Sequence, residues 1–170
     1  MTSASLHQRL RGLFAGLLTL MLGSAAQAGD RPAALLSYGP DLGASGGGKW
    51  RAAQLAGEIR SAREVLGPLR PIYSFAVSRR GGVMGGVGVH GLVPLGPLEL
   101  TPHFSLGLWQ DGPGGFDARE LVQFRSGIDL FLPITPDISV GVGYYHVSNA
   151  SLTRRSADED VIRLAVLWRY

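Results

Sequence analysis

The sequence predicts an all-β protein, an eight-stranded antiparallel transmembrane β-barrel, on three observations. Several strand-like segments run about ten to thirteen residues, against five or six for soluble strands and nine to eleven for a spanning one. Their alternation puts apolar side chains on one face and glycine with charges of both signs on the other, as a narrow polar barrel interior would need. The last segment closes on Trp168 and Tyr170, and aromatic residues belong at a membrane interface. A soluble sandwich would also alternate, with its apolar face inward. A closed barrel has the further merit of leaving no unpaired edge in lipid.

Composition agrees with a β-rich chain. Of 170 residues, 25 are glycine, which weakens helices and serves turns. Cysteine is absent, excluding disulfides, thiolate zinc sites and cysteine nucleophiles. The net charge of +3 comes from arginine, since Lys49 is the only lysine. There is no dense basic cluster, so nucleic acid is not an expected partner. His7, Arg9 and Arg11 precede the apolar stretch 13–22, and Ala26-Gln27-Ala28 ends it. That order predicts a secretory signal peptide over 1–28, followed by the barrel domain over 29–170. The apolar stretch is short for a transmembrane helix.

Eight segments are expected, at about 31–39, 49–60, 70–79, 83–95, 98–110, 120–132, 138–149 and 159–170. Gly46-Gly47-Gly48, Gly67-Pro68, Gly81-Gly82, Gly96-Pro97, Gly112-Pro113-Gly114-Gly115 and 133–137 separate them. The stretch 52–65 also admits a short helix. In the fifth segment Leu98, Leu100, Phe104, Leu106 and Leu108 oppose Glu99, Thr101, His103 and Ser105. In the sixth, Val122, Phe124, Ile128 and Leu130 oppose Gln123, Arg125, Gly127 and Asp129. In the eighth, Ile162, Leu164, Val166, Trp168 and Tyr170 oppose Arg163, Ala165 and Arg169.

An even strand number puts both chain ends on one side. The links 96–97 and 133–137 are then short turns, and 111–119 and 150–158 are longer loops at the other end. The link 61–69 is long for its end and 80–82 short for the other. Glu99, Arg125, Asp129, Arg163 and Arg169, with His103, are expected as an interior salt-bridge network. His90 falls on a glycine face and reads as structural.

His146 stands apart. In the seventh segment Val140, Val142 and Tyr144 share the outward face, and His146 and Ser148 continue it. Asp160 has the parity of Ile162 and Leu164, also outward. A histidine, a serine and a carboxylate thus gather on the lipid-facing side near the strand ends. Acyl transfer needs such a set: a base to take the serine proton and a carboxylate to orient the base. Asn149 is placed to donate to an oxyanion. Glu159 is the alternative acid, with inward parity. The same residues would also suit a plain polar rim.

His146-Val147-Ser148-Asn149-Ala150, on the penultimate strand of a small barrel with an aromatic terminal strand, resembles the His-x-Ser-Asn-Ala motif of PagL-type lipid A 3-O-deacylases. The resemblance covers about 98–170. It implies an eight-stranded outer-membrane barrel that removes the ester-linked acyl chain at the 3 position of lipid A without metal or cofactor. Ser148 would be the nucleophile, His146 the base and Asn149 an oxyanion donor. The family's acid is a glutamate fourteen residues after the histidine, where this chain has Asp160. Expected partners are lipopolysaccharide and outer-membrane lipid. Arg154 and Arg155 are candidates for the lipid phosphates, or are simply solvated. The competing expectations are a non-enzymatic barrel, structural or adhesive, and a soluble periplasmic binder. The oligomeric state stays open, a homodimer included.

Overall fold

A computed structural model describes residues 31–40, 53–79, 81–110, 122–148 and 159–170. Its strands are β1 (Ala33–Pro40), β2 (Ala53–Arg60), β3 (Arg70–Ser78), β4 (Val83–His90), β5 (Val93–Leu95), β6 (Leu98–Gln110), β7 (Val122–Pro133), β8 (Ile138–Ser148) and β9 (Glu159–Arg169). All neighbours are antiparallel, in the order β4-β3-β2-β1-β9-β8-β7-β6-β5, and β4 also pairs with β6. That pairing closes the sheet. β4 and β5 are two halves of one stave, so the barrel has eight. The expected single strand over 83–95 is therefore corrected: it breaks at Gly91-Leu92, where Gly91 N donates to Pro102 O. Proline 102 offers β4 a carbonyl but no N–H at this level.

The stretch 53–60 is a strand, not a helix, paired on both sides by β1 and β3. The long link 61–69 is a hairpin extension rather than a loose loop. Leu66 and Leu69 bridge each other, and Ser61 N donates to Pro71 O. Gly67 has φ 56° and Gly96 has φ 61°. Both sit in the tetrapeptide Leu-Gly-Pro-Leu. Glycine accepts the positive φ of a II′-type hairpin turn, and the following proline brings a preset negative φ. The short link at the other end closes tightly, with Ser78 N on Gly82 O at 2.8 Å.

The alternation divides the residues as expected. Leu36, Tyr73, Phe75, Val87, Leu106, Leu108, Val142 and Leu164 stand exposed around the outside. An exterior apolar on every stave suits hydrocarbon, and closure leaves no unpaired backbone edge. The chain is a transmembrane barrel of the outer-membrane type.

The lumen is filled. Glu58 is its hub: it accepts from Arg60 at 2.7 Å and Arg163 at 2.6 Å, and also from Arg125. Asp129 accepts from Arg60 at 2.6 Å and from Arg163 at 2.7 and 2.8 Å. Three guanidinium groups thus meet two carboxylates, and the Tyr145 ring face lies 4.1 Å from the Arg125 carbon, offering the surplus cation a π partner. Ala33, Leu35, Phe131, Ala165 and Leu167 pack below this layer, towards the chain termini. Tyr145, Val147 and Val161 pack above it. Arg169 pairs with Glu99 and donates to Ser139 Oγ at 2.8 Å. His103 and His90 are both buried, and a His90 ring nitrogen lies 3.4 Å from Ser61 O. Gly143 makes room for the network, because a Cβ there would collide with Asp129 Oδ1.

Two outcomes test this architecture. Glu58→Ala strips the shared acceptor from three buried arginines, so unfolding stability in detergent falls by about 3–5 kcal/mol. Leu164 is 68% exposed; in a soluble protein Leu164→Arg would be nearly neutral. On a lipid face near mid-depth it costs about 2–4 kcal/mol, measured by denaturant unfolding from liposomes.

Candidate active site at the barrel rim

β8 and β9 form the hairpin farthest along the chain, and their register decides what meets. His146 pairs directly with Asp160, Tyr144 with Ile162 and Val147 with Glu159. On the other side His146 faces Ser126 of β7. Directly opposed residues on one face have Cβ atoms about 4.5–5.5 Å apart, within reach of an imidazole and a short carboxylate.

The contact is made. His146 Nδ1 lies 2.9 Å from Asp160 Oδ1. An ionised carboxylate only accepts, so Nδ1–H is the donor in this contact. The Tyr144 hydroxyl donates to the same Asp160 oxygen at 2.5 Å. The His146 and Asp160 side chains are 37% and 27% exposed, open to the barrel's surroundings and not to its lumen. Ser148 ends β8 and is half-buried, two residues beyond His146 on the same face. That spacing is about 6.5–7 Å, so the imidazole must lean along the strand to meet the hydroxyl.

Glu159 is turned the other way. Its carboxylate accepts from Gln54 Nε2 at 2.7 Å, and Gln54 in turn accepts from the Tyr145 hydroxyl at 3.0 Å. It belongs to the lumen, so Asp160 is the carboxylate beside His146. Asn149, Arg154 and Arg155 lie outside the described residues. Among the described residues no group of three or more His, Cys, Asp or Glu gathers into a metal site.

Two neighbours of the site escape a reading of the motif alone. Tyr144 reads from the sequence as part of the apolar stripe, yet its hydroxyl is a partner of Asp160. Ser126 shares the parity of Phe124 and Ile128, and only the β7–β8 register puts it opposite His146. Below the site the outer surface carries two adjoining apolar grooves that share Leu130 and Val142. The nearer, of about 320 Å³, is lined by Tyr144, Ile162 and Ile128. The farther, of about 600 Å³, is lined by Val140, Leu164, Val166, Leu36 and Tyr38. From Tyr144 to Val140 along β8 is about 13 Å at a strand's rise, comparable with the roughly 15 Å of hydrocarbon in one leaflet.

No protein-family model matches the chain, and no curated protein matches its sequence. Solved structures do match its fold. The N-terminal β-barrel domain of Pseudomonas aeruginosa OprF aligns with TM-score 0.59 at 10% identity, over 83% of this chain and 98% of that one. The outer membrane enzyme PagL aligns with TM-score 0.56 at 11% identity, over 81% and 99%. Neisserial surface protein A aligns with TM-score 0.51 at 12% identity, over 84% and 97%. At these identities the likeness is one of fold, and one fold carries many functions. The chain is an eight-stranded barrel of the outer-membrane kind, one of whose structural neighbours is an enzyme.

Proposed function

We propose that the chain is an outer-membrane serine esterase that removes the ester-linked acyl chain from the 3 position of lipid A. The observation that carries the proposal is the hydrogen-bonded His146–Asp160 pair on the outward face, with Ser148 next along the strand. Below them the described outer face is lined by apolar side chains. A base, its orienting acid and a hydroxyl at the strand ends are what an ester at the edge of the hydrocarbon would require.

In this reading Ser148 Oγ attacks the ester carbonyl as His146 Nε2 takes its proton. The tetrahedral intermediate collapses, the sugar oxygen leaves with that proton, and the acyl group stays on Ser148. Water, activated by the same nitrogen, then releases the 3-hydroxy fatty acid and restores the serine. Asp160 keeps the Nδ1–H tautomer and steadies the imidazolium. Asn149 is assigned the oxyanion, and Arg154 with Arg155 the lipid phosphates. The acyl chain lies in the grooves below Tyr144, so the substrate is met in the leaflet without being extracted. Residues 1–28 serve as the leader removed on export.

Ser148→Ala and His146→Ala are expected to lower kcat by roughly 10⁴-fold or more in the folded barrel. The measurement is mass spectrometry of lipid A from cells with and without each variant, with heat-modifiable gel mobility as the control for folding. Ser126→Ala should leave the lipid A mass change intact. If Ser148→Ala retains full deacylation, the serine mechanism is wrong; if the wild-type chain leaves lipid A unchanged, the barrel is a structural or adhesive one. Val142→Trp fills the junction of the two grooves. It is expected to cut kcat/KM roughly tenfold for long acyl chains and much less for short ones, measured in mixed micelles.

A further inference from the structure

We infer that Tyr144 is a positioning residue of this site, whose hydroxyl holds the Asp160 carboxylate against the His146 ring. The inference rests on reading His146 and Asp160 as base and acid, and it goes beyond that reading by assigning a fourth side chain.

The geometry has three parts. The Tyr144 hydroxyl and the His146 Nδ1–H converge on one oxygen, Asp160 Oδ1, at 2.5 and 2.9 Å. Tyr144 reaches that oxygen diagonally across the hairpin, since its direct partner is Ile162 and His146 is the residue opposite Asp160. A diagonal neighbour on a sheet is about 7–8 Å away, a span that suits a long aromatic side chain. Asp160 is also only the second residue of β9. Side chains at a strand's end have few packed neighbours to fix their rotamers, and this carboxylate is 27% exposed.

A carboxylate so placed at a polar rim would otherwise exchange its histidine for water. A phenol carried on the strand supplies a donor beside the carboxylate, its ring lining the apolar face opposite Ile162. The aspartate's short stem has little slack, so its direction matters more than that of a longer acid. Tyr144 therefore acts through Asp160 on the histidine and makes no contact with the reacting atoms.

Tyr144→Phe keeps the ring and removes only the donor. With lipid A in mixed micelles, it is expected to lower kcat roughly tenfold and leave KM unchanged. In an Asp160→Ala background the same substitution should cost nothing further, because the acceptor it acts through is gone. An undiminished kcat, a change confined to KM, or losses that multiply in the double variant would overturn the assignment. A second readout is independent of activity. In micelles the His146 Nδ1 proton should give a protected low-field resonance in the parent barrel, lost to exchange in Tyr144→Phe. Its persistence in the variant would overturn the inference even in a barrel that deacylates nothing. Absence of activity in the parent, with the resonance behaving as expected, would sink the esterase reading alone.

Discussion

Every backbone donor and acceptor that enters hydrocarbon must find its partner within the protein, because lipid offers none. The pairing of β4 with β6 meets that demand by closing the sheet on itself. Once the sheet is closed, each stave has only two faces, and each side chain goes either to lipid or to a lumen filled by other side chains. A residue's parity then decides its medium. Arg125 and Val122, three residues apart on β7, live in opposite environments for this reason.

The lumen inherits a cost from this arrangement. Buried arginines must be met by carboxylates, and Glu58 and Asp129 between them meet Arg60, Arg125 and Arg163. The layer is flanked by apolar side chains on both sides. A packed polar layer of this kind ties strands far apart in sequence, since its bonds link β2, β7 and β9. It reads as a structural core and not as a path for solutes. Glu99 and Arg169 repeat the same solution nearer the chain termini.

The outward face has the opposite problem, because polar groups there need a reason. His146, Asp160 and Tyr144 satisfy one another, which lets three polar groups stand where the surface below is apolar. The result is an imidazole held by a carboxylate at the upper edge of a groove that runs about a leaflet's depth. The same barrel frame supports neighbours as different as an outer membrane enzyme and a surface protein. The fold alone therefore does not set what a barrel of this kind does.

Much of this is legible in the sequence. Alternation along 98–110, 120–132, 138–149 and 159–170 fixes which residues share a face, because the strand repeat of two is a property of the backbone. It separated His146 from His103, and Asp160 from Glu159, correctly as to side. The segment 52–65 stayed open between strand and helix, since its small and mixed residues carry no clear period. Glu58 and Arg60 were missed with it. The break at Gly91-Leu92 was also hidden, because it depends on Pro102 of a neighbouring strand. Periodicity says which way a side chain points but not what stands beside it. Only the register across β7, β8 and β9 could set His146 against Asp160 and Ser126, and bring the Tyr144 hydroxyl onto the same carboxylate. Register is decided by closing the whole barrel, a constraint no single strand contains.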